Sequence, residues 1–236
     1  MNTSHESVAD PREPAPAALP RAANSREPAR VAYSECAMRV GVLGGTFDPI
    51  HNGHLAAARA AIDCAHLDRV ILVPSAQPPH RVAAQAPAED RLAMSKLAIA
   101  GDPRLEVSDV EVKRGGASYT VDTLVELHRA FPEDELVLIL GWDAARLFNT
   151  WHEPERVRGL ASLVIVRRPG MPPPKVADLK AAGLDPDRVV MCLFPTPDIS
   201  GSELRRTIAG GGSAIGSVPP AVESYIAARR LYGDNR

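Results

Sequence analysis

The chain has 236 residues, is 45% hydrophobic and has a formal net charge of −2, so it is long and apolar enough for one sizeable core. The near-neutral charge gives no general footprint for nucleic acid, and no Lys/Arg run or basic stripe interleaved with aromatic residues supplies one locally. No apolar stretch approaches the roughly 20 residues that span a bilayer, so we predict a soluble protein without nucleic-acid or membrane partners.

The chain contains three cysteines, Cys36, Cys64 and Cys192, scattered along its length. Their odd number and wide spacing suit a reducing compartment better than a disulfide framework. We therefore expect a cytoplasmic protein.

Residues 1–37 differ in composition from the rest of the chain. They are rich in Ala, Pro, Arg, Ser and Glu and hold almost no large apolar residues, so they cannot bury enough surface to offset the entropy of ordering. Acidic residues from Glu6 to Glu35 run through the segment, whereas transit peptides are poor in acid. We predict a disordered extension over 1–37 and a single domain over 38–236. Met38 is an alternative translation start.

From Arg39 onward, short β-branched runs alternate with helical stretches, which is the pattern of βαβ units and a parallel sheet. The predicted strands are 40–43, 70–73, 105–107 with an extension toward 112, 136–140, 163–166 and 189–194. The predicted helices are 53–65, 89–100, 120–130, 143–148, 153–158, 201–208 and 220–230. This order predicts an α/β, Rossmann-like, doubly wound parallel sheet with helices on both faces and a small C-terminal helical part from about residue 199.

The segment Gly-Gly-Thr-Phe-Asp-Pro-Ile-His-Asn-Gly-His-Leu, residues 44–55, links the first predicted strand to an alanine-rich helix. Gly44 and Gly45 have no side chain to obstruct a phosphate, and their backbone can direct several N–H groups at one anion. The helix start adds unpaired amides and the positive end of the macrodipole. We predict a nucleotide phosphate site that includes His51 and His54, although the spacing fits neither the P-loop nor the classical dinucleotide fingerprint.

The His-x-x-His spacing of His51 and His54 also suits two zinc ligands. A zinc site needs further ligands, and neither a cysteine pair nor an HExxH pattern lies nearby. A zinc-dependent hydrolase stays open as an alternative, and it predicts bound zinc after purification.

Later segments add polar groups where predicted strands end or helices begin. The loop from Pro74 to Pro87 follows the second strand, where an open α/β sheet binds its ligands, so we expect a substrate loop there. Tyr119 precedes a helix whose first amides can receive a carboxylate. Ser200 and Arg205 belong to another helix start, which offers a second phosphate cradle; an ordinary helix start is the alternative.

Together these segments resemble the nucleotidylyltransferase superfamily and, within it, the bacterial nicotinate mononucleotide adenylyltransferases. The resemblance spans about Arg39 to Tyr232. The segment 44–55 contains the superfamily's [HT]-x-G-H signature, and the other matching motifs are Pro78-Pro79-His80-Arg81 (PPH[KR]), Arg91 with Met94 (RxxM), 118–124 (SYTxDTL), Gly141-Trp142-Asp143 (GxD), Trp151-His152 (W[HY]) and 199–205 (ISSTxxR). Gly201 replaces the middle Ser of the last motif, so a phosphate contact there would come from backbone N–H.

The resemblance implies that ATP, carrying Mg²⁺, reacts with nicotinate mononucleotide to give nicotinate adenine dinucleotide and pyrophosphate, a step of NAD biosynthesis. It implies His51, His54 and Arg205 as catalytic residues. The implied ATP-binding residues are Gly44, Gly45, Thr46, Phe47, Ser200 and Ser202. The implied mononucleotide-binding residues are His80, Arg81, Tyr119, Thr120, Asp143, Trp151 and His152, with Trp151 stacked on the pyridine ring.

Two alternatives of other kinds remain open from the sequence. The pantetheine-phosphate adenylyltransferases share the T-x-G-H signature, but the 118–124 motif and Trp151 argue against that function. A nucleotide-binding module that never turns over would bind ATP without releasing pyrophosphate. For individual residues, the alternatives are that His80 and Arg81 belong to a solvated basic loop and that Trp151 is a core residue.

Overall fold

The computed structural model describes residues 37–78, 83–167, 170 and 172–233. These residues belong to the compact unit Cys36–Arg236. Their strands are β1 (Arg39–Gly45), β2 (Arg69–Pro74), β3 (Leu105–Val107), β4 (Glu135–Gly141), β5 (Ser162–Val166) and β6 (Val189–Cys192). All pair in parallel in one sheet of order β3-β2-β1-β4-β5-β6.

The helices are α1 (Asn52–Ala65), α2 (Ala88–Ala98), α3 (Val110–Arg114), α4 (Thr120–Ala130), α5 (Trp142–Ala145), α6 (Pro154–Leu160), α7 (Val176–Ala181), α8 (Gly201–Ala209) and α9 (Pro220–Arg229). Short 3₁₀ turns lie at Phe148–Thr150 and Pro186–Arg188. Among these helices, none has the length and apolar character needed to cross a membrane.

The two faces of the sheet have separate hydrophobic clusters because successive strand residues point to opposite sides. In β4, Val137 and Ile139 pack with residues of α1, α2, α8 and α9. Leu136, Leu138 and Leu140 pack with residues of α4, α6 and α7 on the other face. The predicted doubly wound fold with helices on both faces is therefore confirmed.

The strand order places a crevice between the carboxyl ends of β1 and β4. β1 pairs with β2 on one side, at Val40↔Arg69, and with β4 on the other, at Val42↔Leu138. The chain winds away from β1 in both directions, and ligands of open α/β sheets bind at such a reversal of strand order. Here the segments 44–55 and 141–143 leave the sheet side by side.

Two strand predictions extend too far. The run toward residue 112 forms α3 instead, where the Val110 N–H donates to Ser108 Oγ at 3.3 Å and Glu111 turns into the protein. β6 ends at Cys192 rather than 194, because its neighbour β5 ends opposite it at Val166. The pattern also missed α7, a short helix of six residues.

A disulfide joins Cys64 in α1 to Cys192 at the end of β6, with the two Cα atoms 5.8 Å apart. The scattered spacing favoured free thiols, and this expectation is wrong for these two residues. They are 128 positions apart in the sequence, and only the packing of α1 against β6 brings them together.

We predict that protein purified and denatured without reductant exposes only the thiol of Cys36. Dithiothreitol should lower the melting temperature by several degrees, because a disulfide contributes about 2–4 kcal/mol. Thiol titration and a thermal melt check this, with Cys36→Ser as the control that keeps the reductant effect. Reaction of Cys64 and Cys192 before reduction would contradict the pairing.

Candidate active site

β1 ends in two glycines, one that leaves the following turn accessible and one that makes room for packing. Gly44 is exposed, and a Cβ added there would meet no atom within 4 Å. A Cβ at Gly45 would lie 2.8 Å from the ring of Phe47, which is 2% exposed and adopts a left-handed φ of 47°. Gly44 thus leaves the turn open, whereas Gly45 makes room for the buried ring that shapes it.

His51 and His54 form a stacked pair at the start of α1. Their ring centroids are 3.7 Å apart at 22°, and the Phe47 ring meets His54 edge-on at 4.9 Å. The backbone N–H of His51 donates to Nδ1 of His54 at 3.3 Å. This bond makes Nδ1 the acceptor, so a neutral His54 carries its proton on Nε2, where it is a donor.

Arg91 of α2 anchors the turn from inside the protein. It is 1% exposed and donates to the carbonyl oxygens of Thr46 at 2.6 Å, Ser75 at 2.7 Å, Ala76 at 3.1 Å and Ala86 at 3.1 Å. Burial lowers the pKa of this guanidinium from its ordinary value. One side chain therefore fixes the turn after β1 to both ends of the segment that follows β2.

Asp48, 6% exposed, is a second anchor of the turn. Its Oδ1 accepts from the Ala86 N–H at 3.1 Å and the Tyr232 hydroxyl at 2.8 Å, and its Oδ2 accepts from the Gln85 N–H at 2.8 Å. Nη1 of Arg205 donates to the Asp48 backbone carbonyl at 2.6 Å and lies 3.7 Å from Oδ2. The motif aspartate thus contacts three distant parts of the chain.

The start of α8 lies against the same turn. Ser200 caps α8 by accepting from the Glu203 N–H at 3.4 Å, and Ser202 Oγ accepts from Arg205 Nη2 at 3.3 Å. A Cβ added at Gly201 would lie 3.4 Å from the Asp48 carbonyl oxygen, an ordinary contact. A serine would fit at Gly201, so the departure from the family motif leaves the backbone approach unchanged.

Aromatic side chains gather beside β4. The ring centroids of Tyr119 and His152 are 4.4 Å apart, and those of Trp151 and Phe148 are 5.2 Å apart. Tyr119 and Trp151 are half-buried against the core of this face, while His152 is exposed. Asp143 lies in the first turn of α5, directly after β4. The Trp151 ring is therefore partly packed and partly accessible.

The segment before α4 is tied to the loop after β2. Ser118 Oγ accepts from the Ala76 N–H at 2.9 Å, and its own N–H donates to the Gln77 carbonyl at 2.9 Å. Behind it, buried Glu111 accepts from Thr123 Oγ1 at 2.5 Å, and burial raises the pKa of this carboxyl. These contacts hold the start of α4 in place beside the crevice.

The predicted site residues thus fall into two groups beyond the carboxyl ends of the strands. The first contains Gly44, Gly45, Thr46, Phe47, His51, His54, Ser200, Ser202 and Arg205. The second contains Tyr119, Thr120, Asp143, Trp151 and His152. The predicted His80 and Arg81 lie outside the described residues. Within the described ranges, no group of three or more His, Cys, Asp or Glu side chains could hold a metal ion.

Sequence reasoning missed the supporting roles of Asp48, Arg91 and Tyr232. Asp48 lies inside the first motif and Arg91 matches a family position, so both were visible as residues. Their partners were not, because the Asp48–Tyr232 hydrogen bond joins residues 184 positions apart.

Known proteins resemble this chain over most of its length. The family described as cytidylyltransferase-like matches residues 42–207. A probable nicotinate-nucleotide adenylyltransferase of Thermus thermophilus is 50% identical over 195 residues, covering 83% of this chain and 100% of that protein. A probable nicotinate-nucleotide adenylyltransferase of Thermomicrobium roseum is 40% identical over 195 residues, covering 82% of this chain and 91% of that protein.

Among solved structures, the nicotinic acid mononucleotide adenylyltransferase of Plasmodium falciparum complexed with NaAD matches with a TM-score of 0.67. The two sequences are 18% identical, and the match covers 83% of this chain and 97% of the other. At this identity the likeness establishes the fold.

We predict that Arg91→Met lowers the free energy of unfolding by about 3 kcal/mol or more, because buried carbonyl oxygens lose a charged donor. Lys96→Met, an exposed substitution on the same helix, should change it by less than about 0.5 kcal/mol. Urea denaturation of both variants checks this. Equal unfolding midpoints would contradict the anchoring role of Arg91.

Proposed function

Because this chain belongs to the nicotinate-nucleotide adenylyltransferases, within the cytidylyltransferase-like family, we propose that it transfers the adenylyl group of ATP to nicotinate mononucleotide. The products are nicotinate adenine dinucleotide and pyrophosphate. The observation that carries the proposal is the meeting of the His51–His54 pair with Arg205 of α8 around one open turn. A donor pair, a cation and a helix start together suit a polyphosphate.

The reaction proceeds by direct in-line attack. A phosphate oxygen of the mononucleotide forms a bond to the α-phosphorus of ATP, and the bond to the bridging oxygen breaks as pyrophosphate leaves with the electron pair. Such phosphoryl chemistry needs positioning and charge stabilisation rather than a covalent intermediate on the protein. Mg²⁺ enters with ATP as part of that substrate.

On the ATP side, the exposed backbone at Gly44 and the neighbouring Thr46 receive the phosphates, and His51 and His54 donate to their oxygens as charge builds. The macrodipole of α1, a helix of 14 residues, favours the same negative charge. Arg205, supported by Ser202, steadies the departing pyrophosphate. The Arg205 side chain is 22% exposed, with Nη1 donating to the Asp48 carbonyl and Nη2 to Ser202 Oγ, and the remaining Nη hydrogens supply the donors for the phosphate.

On the acceptor side, Trp151 stacks on the pyridine ring and Tyr119 supplies an aromatic wall. The first amides of α4, at Thr120, have no partner within the helix and suit the nicotinate carboxylate, together with the backbone N–H of His152. Asp143 binds a ribose hydroxyl. His80 and Arg81 add positive charge for the mononucleotide phosphate. We propose a cytoplasmic location from the metabolic reaction alone, because the Cys64–Cys192 disulfide removes the thiol argument for a reducing compartment.

The proposal predicts the outcome of a parallel assay of pyrophosphate release from MgATP with three acceptors. Release should be far faster with nicotinate mononucleotide than with nicotinamide mononucleotide or phosphopantetheine, because α4 offers amides for a carboxylate. Release only with phosphopantetheine would keep the phosphate chemistry and overturn the acceptor site. ATP binding without release for any acceptor would instead support a regulatory nucleotide-binding module, and stoichiometric zinc would support a hydrolase.

We expect His54→Ala to lower kcat/KM by at least about 10²-fold, the typical effect of removing one preorganised donor. His128→Ala, which removes an exposed histidine at the end of α4, should retain wild-type kinetics. Steady-state assays of both variants, with circular dichroism to show that each is folded, check this. Near-full activity of His54→Ala would overturn the assignment of the first motif.

A further inference from the structure

Tyr232, close to the C-terminus, reaches back to the first motif. Its side chain is buried, at 9% exposure, and its hydroxyl donates to Asp48 Oδ1 at 2.8 Å. Burial and the adjacent carboxylate raise the pKa of this hydroxyl, so it stays a donor at neutral pH.

Within the described part of the chain, the hydroxyl is one of three donors on the Asp48 carboxylate, and the backbone N–H groups of Gln85 and Ala86 are the others. Arg205 lies beside the same carboxylate, yet its Nη1 is 3.7 Å from Oδ2. A charge-assisted hydrogen bond of this kind is about 2.7–2.9 Å long. The guanidinium is hydrogen-bonded instead to the Asp48 backbone carbonyl, at 2.6 Å.

This geometry addresses a conflict in the site. A buried aspartate next to the arginine that holds a phosphate group competes with that phosphate for the cation. Hydrogen-bond donors that already pair with the carboxylate oxygens weaken the interaction of the carboxylate with the arginine. The partly exposed guanidinium of Arg205 then keeps its remaining Nη hydrogens for an external anion.

We infer that Tyr232 and Asp48 are positioning residues that hold Arg205 in place for pyrophosphate, an inference that rests on the proposed role of Arg205. Tyr232 occupies Oδ1, and Asp48 holds the guanidinium through its backbone carbonyl. When the hydroxyl is lost, the carboxylate turns toward Arg205 and draws it away from the phosphates. The C-terminal segment thus sets the geometry of a site formed by residues far from it in sequence.

Tyr225 provides a matched control within the same C-terminal region. Its hydroxyl donates to Asp90 Oδ1 at 2.8 Å, and Asp90 is 4% exposed. Asp90 is also paired with an arginine, since Nε of Arg229 lies 3.1 Å from Oδ1. Tyr225→Phe therefore removes the same type of bond to a buried aspartate that has no contact with Arg205.

The test compares Tyr232→Phe and Tyr225→Phe in the full-length chain. Pyrophosphate affinity is measured by calorimetry. Steady-state assays with MgATP and nicotinate mononucleotide give kcat and KM, and thermal denaturation gives the melting temperature. We expect Tyr232→Phe to lower pyrophosphate affinity and kcat by roughly 10- to 100-fold, as for a catalytic group displaced by about 1 Å. Tyr225→Phe should keep both values, and the melting temperatures show how much stability each variant loses.

A double-mutant cycle with Arg205→Ala shows whether Tyr232 acts through Arg205. In the Arg205→Ala background, Tyr232→Phe should cause no further loss of pyrophosphate affinity, because residues that act through one another are non-additive. Arg205→Lys replaces Arg205→Ala if the latter does not fold. If Tyr232→Phe and Arg205→Ala instead lower pyrophosphate affinity independently, so that their effects multiply, the inference is wrong. It is also wrong if Tyr232→Phe and Tyr225→Phe have the same effect on pyrophosphate affinity and kcat.

The two readouts also separate this inference from the proposed reaction. Wild-type protein that binds pyrophosphate but never releases it from ATP would contradict the reaction, while the binding cycle would still decide the role of Tyr232. Wild-type protein that binds no pyrophosphate would overturn the inference itself.

Discussion

The turn between β1 and α1 has to leave its outer surface open to an anion. Its own polar groups therefore form hydrogen bonds on the side that faces the protein interior. Arg91 binds the Thr46 carbonyl, and Asp48 binds two backbone N–H groups of the segment before α2. Buried polar groups are costly unless paired. Because this pairing occurs inside the protein, Gly44 and the helix start remain available to a ligand.

These buried hydrogen bonds also determine where the positively charged side chains lie. One buried arginine, Arg91, is committed to four carbonyl oxygens and is not accessible to substrate. Arg205, which is only partly buried, donates to the Asp48 carbonyl and to Ser202 Oγ and keeps further Nη hydrogens for an anion. The two arginines therefore have different tasks, one structural and one proposed for the candidate site.

Most of the fold was readable from local patterns. The strands at 40–43, 70–73, 136–140 and 163–166 are short, apolar and bounded by turn residues, and each lies within a strand of the sheet. The predicted extension of β3 toward residue 112 is wrong because the apolar residues there belong to α3. Val110 of this helix packs on the hydrophobic core, and Glu111 is buried and accepts a hydrogen bond from Thr123 Oγ1. The pairing of Cys64 with Cys192 was equally hidden, since it depends on the contact of α1 with β6.

The sequence by itself determined the fold class and the family, and it predicted the residues of both candidate groups, because glycines, helix caps and motif spacing are local properties. It did not determine which groups support them. The four carbonyl partners of Arg91 and the hydrogen bond from Tyr232 to Asp48 arise only when distant segments pack together. Local chemistry predicts where a phosphate can bind, whereas the orientation of the cation that meets it depends on contacts between residues far apart in the chain.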